Sequence, residues 1–203
     1  MKFIIVAATY TEIAPLFEHL HLENKAFSET PLFDILITGV GMTAAAFALG
    51  RHLNSNYSYV LNVGIAGSFK QEIKIGDIVT VVEDTFSELG AEDTSAFISL
   101  EEMGLGKVTY KALGIPELRN VKALTLNKVH GCKNSIEEIV ERLNPDIESM
   151  EGAAVFYSAE QQTTPTFQVR SISNYVEPRD RSKWDIPLAI QNLNEWLINH
   201  IQR

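Results

Sequence analysis

The apolar positions of this chain fall into short unbroken blocks, with polar and glycine-rich positions between them. Phe3 to Ala8 is the first block, apolar and rich in β-branched residues. Such a run without alternation predicts a strand buried on both faces. Thr9-Tyr10-Thr11-Glu12 breaks it. Ile13 to Leu20 then predicts a helix with Pro15 in its first turn, where the missing N–H removes no helical hydrogen bond. Phe33 to Thr38 predicts a second strand, and Gly39-Val40-Gly41-Met42-Thr43-Ala44 opens an alanine-rich helix running to about Leu53. Tyr57 to Val63 predicts a third strand that ends in the loop Gly64-Ile65-Ala66-Gly67-Ser68. Ile75 to Val82 predicts a fourth, broken near its start by Gly76-Asp77.

The pattern is weaker in the middle of the chain. Glu83, Asp84, Glu88, Glu92 and Asp93 read as an acidic, solvated loop. Thr94 to Asn120 has no clean period and reads as a loop with short elements, a mobile cover or a subunit contact. Lys122 to Asn127 predicts a fifth strand. Ser135 to Leu143 predicts an amphipathic helix, with Ser135 as N-cap, Glu138 completing a capping box, and Ile136, Ile139, Val140 and Leu143 as its buried stripe. Asp146 to Ser149 predicts the end of a buried strand, Glu151 the mouth of the next helix, and Gly152 to Gln161 that helix. Thr166 to Ser173 is the last predicted strand and carries Arg170 inside an apolar run. Ile186 to Ile201 closes the chain as a helix, with Leu188, Leu193, Trp196 and Leu197 as core candidates. Strands alternating with helices define an α/β chain of three layers, αβα.

Composition narrows the function classes. A chain of 203 residues predicts one domain, residues 1–203. No repeat or linker divides it. A net charge of −9 argues against a nucleic-acid partner. A single cysteine, Cys132, allows no internal disulfide and fits a reducing compartment. No apolar run reaches membrane-spanning length, and the N-terminal block is too short for a signal peptide. A cytoplasmic location is therefore expected.

Motifs exclude several chemistries. There is no G-x-S-x-G elbow and no phosphate-binding G-x-x-x-x-G-K-S/T. Gly39-Val40-Gly41-Met42-Thr43-Ala44 fits a dinucleotide fingerprint, but that reading needs an acid about 20 residues on for the ribose. None occurs between Gly41 and Glu72. His130 and Cys132 have no second pair at metal-ligand spacing and read as loop residues without a metal. What remains lies where α/β sheets collect ligands, beyond the carboxyl ends of strands. Glu12, Gly39 and Gly41, Gly64 and Gly67, Met150 and Glu151, and Asn174 all follow predicted strands. Each acid also reads as an ordinary first-turn residue favoured by the helix dipole. Two carboxylates in one pocket suit cleavage at a sugar carbon, one activating water and the other binding sugar hydroxyls.

The segments Gly39-Val40-Gly41, Gly64-Ile65-Ala66-Gly67, Ile75-Gly76-Asp77-Ile78-Val79, Ser149-Met150-Glu151-Gly152-Ala153-Ala154 and Arg170-Ser171-Ile172-Ser173-Asn174, with Glu12 in the first loop, resemble the purine nucleoside phosphorylase and nucleosidase superfamily. The resemblance covers nearly the whole chain in order. Met150-Glu151-Gly152-Ala153-Ala154 is its most specific part. Within the superfamily the chain is similar to methylthioadenosine/S-adenosylhomocysteine nucleosidases. It is more similar to the futalosine hydrolase family of the alternative menaquinone pathway, through Glu83 to Asp93, Val129-His130-Gly131 and Ser171 to Arg179.

The resemblance implies a nucleoside phosphorylase-like fold with a central mixed sheet, no cofactor, and a nucleoside substrate. It implies Glu12 as the base that activates water, Met150 under the ribose and Glu151 on its hydroxyls. Gly41, Ile65, Ala66, Gly67, Val129, His130 and Arg170 join the substrate-binding set, with Arg170 expected to orient the carboxylates or to be a satisfied buried ion pair. Asn174 stands where adenosine-type nucleosidases carry an aspartate. An amide can donate to a purine O6 and accept from a protonated N7, which suits a 6-oxopurine such as hypoxanthine, but it is not a carboxylic proton donor. Arg179 and Arg181 are candidate partners for an aryl carboxylate on the 5′ side. A homo-oligomer is expected. A methylthioadenosine/S-adenosylhomocysteine nucleosidase, a phosphorylase and a non-catalytic nucleoside-binding module stay open. A phosphorylase would need cationic donors in the loops after the early strands, and those loops carry no Arg or Lys.

Overall fold

The structure is a computed structural model that describes residues 1–94 and 96–202. Ser95, inside the stretch read as irregular, and Arg203 lie outside the described residues.

Strand β1 (Lys2–Ala7) leads into helix α1 (Tyr10–His19), and β2 (Phe27–Glu29) and β3 (Phe33–Ile37) into α2 (Met42–His52). Then come β4 (Tyr57–Ser68), β5 (Ile78–Phe86), the hairpin β6 (Gly90–Asp93) and β7 (Ala96–Ser99), β8 (Thr109–Lys111) and β9 (Arg119–Thr125). The chain ends with α3 (Lys133–Leu143), β10 (Ile147–Ser149), α4 (Gly152–Gln161), β11 (Thr166–Tyr175) and α5 (Ile186–Ile201). The main sheet runs β10-β9-β5-β11-β4-β1-β3-β2, with β8 attached to β5. It is mixed: β1 is parallel to β3 and β4, and β11 is parallel to β4 but antiparallel to β5. β10 also pairs with the far end of β4, so β4, β11, β5, β9 and β10 close on one another at that end.

The three layers follow from the alternation within buried strands. On β1, Ile5 and Ala7 face Ile13, Leu16 and Phe17 of α1 and Leu193 and Leu197 of α5. Ile4 and Val6 face Ala45 and Leu49 of α2 and Ala154 and Val155 of α4. Each large apolar side chain so buried contributes about 1.5–3 kcal/mol, and both helix layers are anchored this way. Among the described residues, no helix is long and apolar enough to cross a membrane.

Several predicted boundaries move. β4 continues through Gly64 to Ser68, because β11 supplies in-register partners for Gly64, Ile65 and Ala66. The predicted loop is a strand. β11 likewise runs on to Tyr175, with an irregularity between Ile172 and Asn174. β5 begins at Ile78, not Ile75, and carries Glu83 and Asp84 inside the sheet. Asp84 is wholly buried, so the acidic run is not one solvated face. The stretch read as irregular holds β7, β8 and the start of β9, all secured by pairing to other segments. The α3 capping box is absent: Cys132 is the N-cap, and Ser135, already inside the helix, donates its hydroxyl back to the Cys132 carbonyl. Of the α3 stripe, Ile139 is buried and its neighbours are half-buried. Leu188 is exposed rather than core and packs beside Gly76.

Candidate active site

Glu12 lies in the first turn of α1, which begins earlier than predicted. Thr9 is the N-cap, and Glu12 closes a capping box with it. Glu12 Oε2 accepts from the Thr9 backbone N–H at 3.0 Å and from its hydroxyl at 2.9 Å. Its other oxygen, Oε1, accepts from the Ile65 N–H on β4 at 3.1 Å. Asn194 of α5 ties this turn down by donating to the Glu12 carbonyl and accepting from Leu16 N–H. The carboxylate is therefore fixed by two elements of the fold.

Glu151 is the residue before α4, and its Oε1 accepts from Gly41 N–H at 2.9 Å. Gly41 has φ 94°, a left-handed conformation that favours glycine, and it caps α2. The positive end of α2 thus faces a carboxylate. Burial pushes the Glu151 carboxyl above its ordinary range. Arg170 and the Gly41 N–H work against that shift, while Glu12 adds to it.

Arg170 is 2 % exposed in the middle of β11. Its Nη1 lies 3.5 Å from Asn62 Oδ1, and its Nε and Nη2 have no hydrogen-bond partner among the described residues. A Cβ at Gly64 would sit 2.8 Å from both Arg170 Nη1 and Glu12 Oε1. The absent side chain leaves the guanidinium and that carboxylate either side of a small gap.

At the other end of the cleft, Asn174 Nδ2 donates to the Tyr175 carbonyl at 3.0 Å, and its Oδ1 accepts from the Ser173 hydroxyl at 2.8 Å. One amide proton and one lone pair remain for a ligand. Nearby, the buried Glu148 accepts from His130 N–H at 3.1 Å and pairs with its Nδ1 at 2.6 Å. Gly67 separates this pair from Asn174, since a Cβ there would lie 3.2 Å from Asn174 Nδ2 and 3.6 Å from Glu148 Cγ.

These groups surround one cavity of about 480 Å³, within the range of small-molecule sites. Glu12, Ile65, Ala66 and Gly67 line one part of it; Val129, His130, Met150, Glu151 and Asn174 line the rest. Gly41 and Arg170, also predicted for the site, stand outside that lining and act on its carboxylates. The site set expected from the sequence lacks Glu148, Ser173, Trp184 and Ile190, which also line the cavity. Glu148 was visible as an acid inside a buried strand. Trp184 carried no pattern that could have found it. Arg179 is on the cavity rim over the Trp184 ring, 4.9 Å from its centroid.

The chain belongs to the phosphorylase superfamily, whose family model matches residues 2–201. Among curated relatives, the futalosine hydrolase of Streptomyces coelicolor is 31% identical over 178 residues, covering 80% of this chain and 76% of that protein. The futalosine hydrolase of Acidothermus cellulolyticus is 33% identical over 180 residues, covering 81% and 73%. The fold matches a solved methylthioadenosine/S-adenosylhomocysteine nucleosidase from Colwellia psychrerythraea, in complex with adenine, at TM-score 0.79 and 20% identity, covering 98% of this chain and 93% of that one. The α/β fold with a central mixed sheet is the one the sequence resemblance implied.

Proposed function

We propose that this chain hydrolyses the N-glycosidic bond of a 6-oxopurine nucleoside, with futalosine as substrate and hypoxanthine as the released base. The carrying observation is one cavity lined by two backbone-held carboxylates, Glu12 and Glu151, and by an amide, Asn174. The names of the curated relatives agree with this reading.

In this mechanism Glu151 accepts hydrogen bonds from the ribose hydroxyls, and Met150 packs under the sugar. Glu12 takes a proton from a water placed between it and Arg170, at the gap left by Gly64. The water oxygen bonds to the anomeric carbon as the bond to the purine nitrogen breaks, and that electron pair leaves with the base. Negative charge from Glu12 and Glu151 favours the oxocarbenium-like transition state. Asn174 binds O6 and N7 but cannot supply a carboxylic proton, so the leaving base takes its proton through water or from His130.

Phosphorolysis is disfavoured by the same geometry. Glu12 would repel phosphate beside the sugar carbon, and among the described residues lining the cavity Arg179, at the rim, is the one Arg or Lys. The test is base release in phosphate-free buffer. The expected products are the free base and free ribosyl compound. A strict phosphate requirement, with a sugar 1-phosphate seen by phosphorus NMR, would overturn hydrolysis.

A homo-oligomer belongs to the same proposal. Leu89, Leu105 and Tyr157 are exposed around one apolar cleft between α2 and α4, with Phe47 exposed on α2 and Val40 reaching the active cavity. An apolar surface of that kind suits a second copy. Light scattering on purified protein checks it, and a monomer at micromolar concentration would refute it.

A further inference from the structure

Across the sheet behind the cavity runs a row of buried polar side chains, one from each of four strands. Thr125 is on β9, Asp84 on β5, Gln168 on β11 and Asn62 on β4, and all four are at most 2 % exposed. Thr125 Oγ1 donates to Asp84 Oδ1 at 2.8 Å, and Gln168 Nε2 donates to Asp84 Oδ2 at 2.9 Å. Asn62 Nδ2 donates to Gln168 Oε1 at 3.3 Å. The row ends with Asn62 Oδ1 facing Arg170 Nη1 at 3.5 Å.

The row has a direction, and Asp84 sets it. An ionised carboxylate only accepts hydrogen bonds. Gln168 must therefore turn its NH₂ toward Asp84, which leaves its oxygen toward Asn62. Asn62 must in turn present its NH₂ to Gln168, which leaves its oxygen toward Arg170. The acceptor that meets the guanidinium is thus fixed by a carboxylate two side chains away. Without it both amides could reverse, and Asn62 would present NH₂ to a cation. The same row reaches α4: Ala153 N–H donates to Thr125 Oγ1 at 2.7 Å.

We propose that Asp84 is a positioning residue for Arg170, acting through the side-chain amides of Gln168 and Asn62. It fixes the guanidinium that faces Glu12 across the Gly64 gap, with no contact to substrate. The burial of Asp84 and its charge interaction with Arg170 agree with this assignment. The catalytic part of the proposal rests on the hydrolase reading above.

The test moves the charge along the row. In Asp84→Asn, the new NH₂ turns Gln168 around and sets the row the wrong way at Arg170. In Asn62→Asp, two carboxylates compete for one Gln168 amide. In the variant carrying both substitutions, the amide introduced at position 84 donates to Gln168 Oε1. Gln168 Nε2 then donates to the carboxylate introduced at position 62, and that carboxylate faces Arg170. Every hydrogen bond is restored with the net charge unchanged. Each single variant is expected to lose roughly a hundredfold in kcat, the scale of a small misplacement of reacting groups, with KM changed less than about threefold. The double variant is expected to recover at least about tenfold of that loss and to melt above either single variant. Thermal melting reads the row whether or not the chain is a hydrolase, so inactivity of the unmutated protein on every nucleoside would overturn the hydrolase reading separately. Full kcat in Asp84→Asn, no recovery of melting temperature in the double variant, or recovery of melting without kcat would each overturn the proposal.

Discussion

Glu12 is the residue on which turnover should depend most. It is also a capping residue, and the two roles separate in a single substitution. Glu12→Gln keeps the side-chain length and one oxygen for the Ile65 N–H or the Thr9 cap, but removes the proposed base. The expected outcome is a loss of about two to four decades in kcat, with hypoxanthine binding, measured by calorimetry, within a few fold of normal. Near-normal turnover would remove Glu12 from the mechanism. Asp84 gives a second residue-scale prediction. Burial pushes its carboxyl from an ordinary 3.8 up to about 6, although Thr125, Gln168 and Arg170 favour the charge. The unfolded chain releases this proton near 3.8 and the folded chain holds it to about 6. Between those values the folded state binds more protons, so the Asp84 contribution to stability falls as pH rises through the window and stays low above it. The full swing is about 3 kcal/mol. Denaturant unfolding should therefore show the unmutated protein gaining on Asp84→Asn as pH drops from about 6.5 to about 4. A pH-independent difference between the two would contradict the shift.

At the scale of the element, the start of α4 decides where Glu151 points. Gly152 follows Glu151 directly. A Cβ on it would collide with Asp84 Oδ2 and lie 2.6 Å from Gln168 Nε2. Gly152→Ala should gain about 1 kcal/mol in helix propensity but lose about 1–3 kcal/mol to overpacking against groups that cannot withdraw. The expected net effect is a lower melting temperature together with a weaker KM, because the displaced helix start carries Glu151. A more stable variant with normal KM would show that the contact yields. This element also marks what the sequence made legible. Met150-Glu151-Gly152-Ala153-Ala154 announced a carboxylate at a helix mouth and small residues packed on a sheet, and the structure has both. The helices and the buried strands were readable because each is a local block of one periodicity. Gly64 to Ser68 reads as a loop in sequence because its strand character comes from β11, about a hundred residues away. Asp84 is hidden from the sequence for the same reason. Together with Glu83, Glu88, Glu92 and Asp93 it looks solvated until pairing with β9 and β8 places it inside the sheet. The pairing of Glu148 with His130 and the place of Trp184 in the cavity come from long-range closure of β10 on β4 and the packing before α5, and no local pattern encodes that pairing or that placement.

For the whole molecule, the closed end of the sheet matters most. Because β10 pairs with both β9 and β4, Glu148, Gly67 and Asn174 are brought into one cavity with Glu12 and Glu151. Function then depends on which base that cavity accepts. A site built around a hydrogen-bonding pattern rejects the analogue that leaves its polar groups unpaired, by more than an apolar pocket could. In the proposed complex Asn174 matches O6 with its NH₂ and a protonated N7 with its oxygen, whereas a 6-amino group would meet that NH₂ donor to donor. The most direct measurement is competition: futalosine and methylthioadenosine at equal concentration in phosphate-free buffer, with hypoxanthine and adenine quantified by chromatography over time. Hypoxanthine release is expected to be favoured by at least about a hundredfold, with a shift toward adenine in Asn174→Asp, whose protonated carboxyl can donate to N7 and accept from N6. Faster adenine release by the unmutated protein would contradict it and assign the chain to the methylthioadenosine/S-adenosylhomocysteine nucleosidases instead.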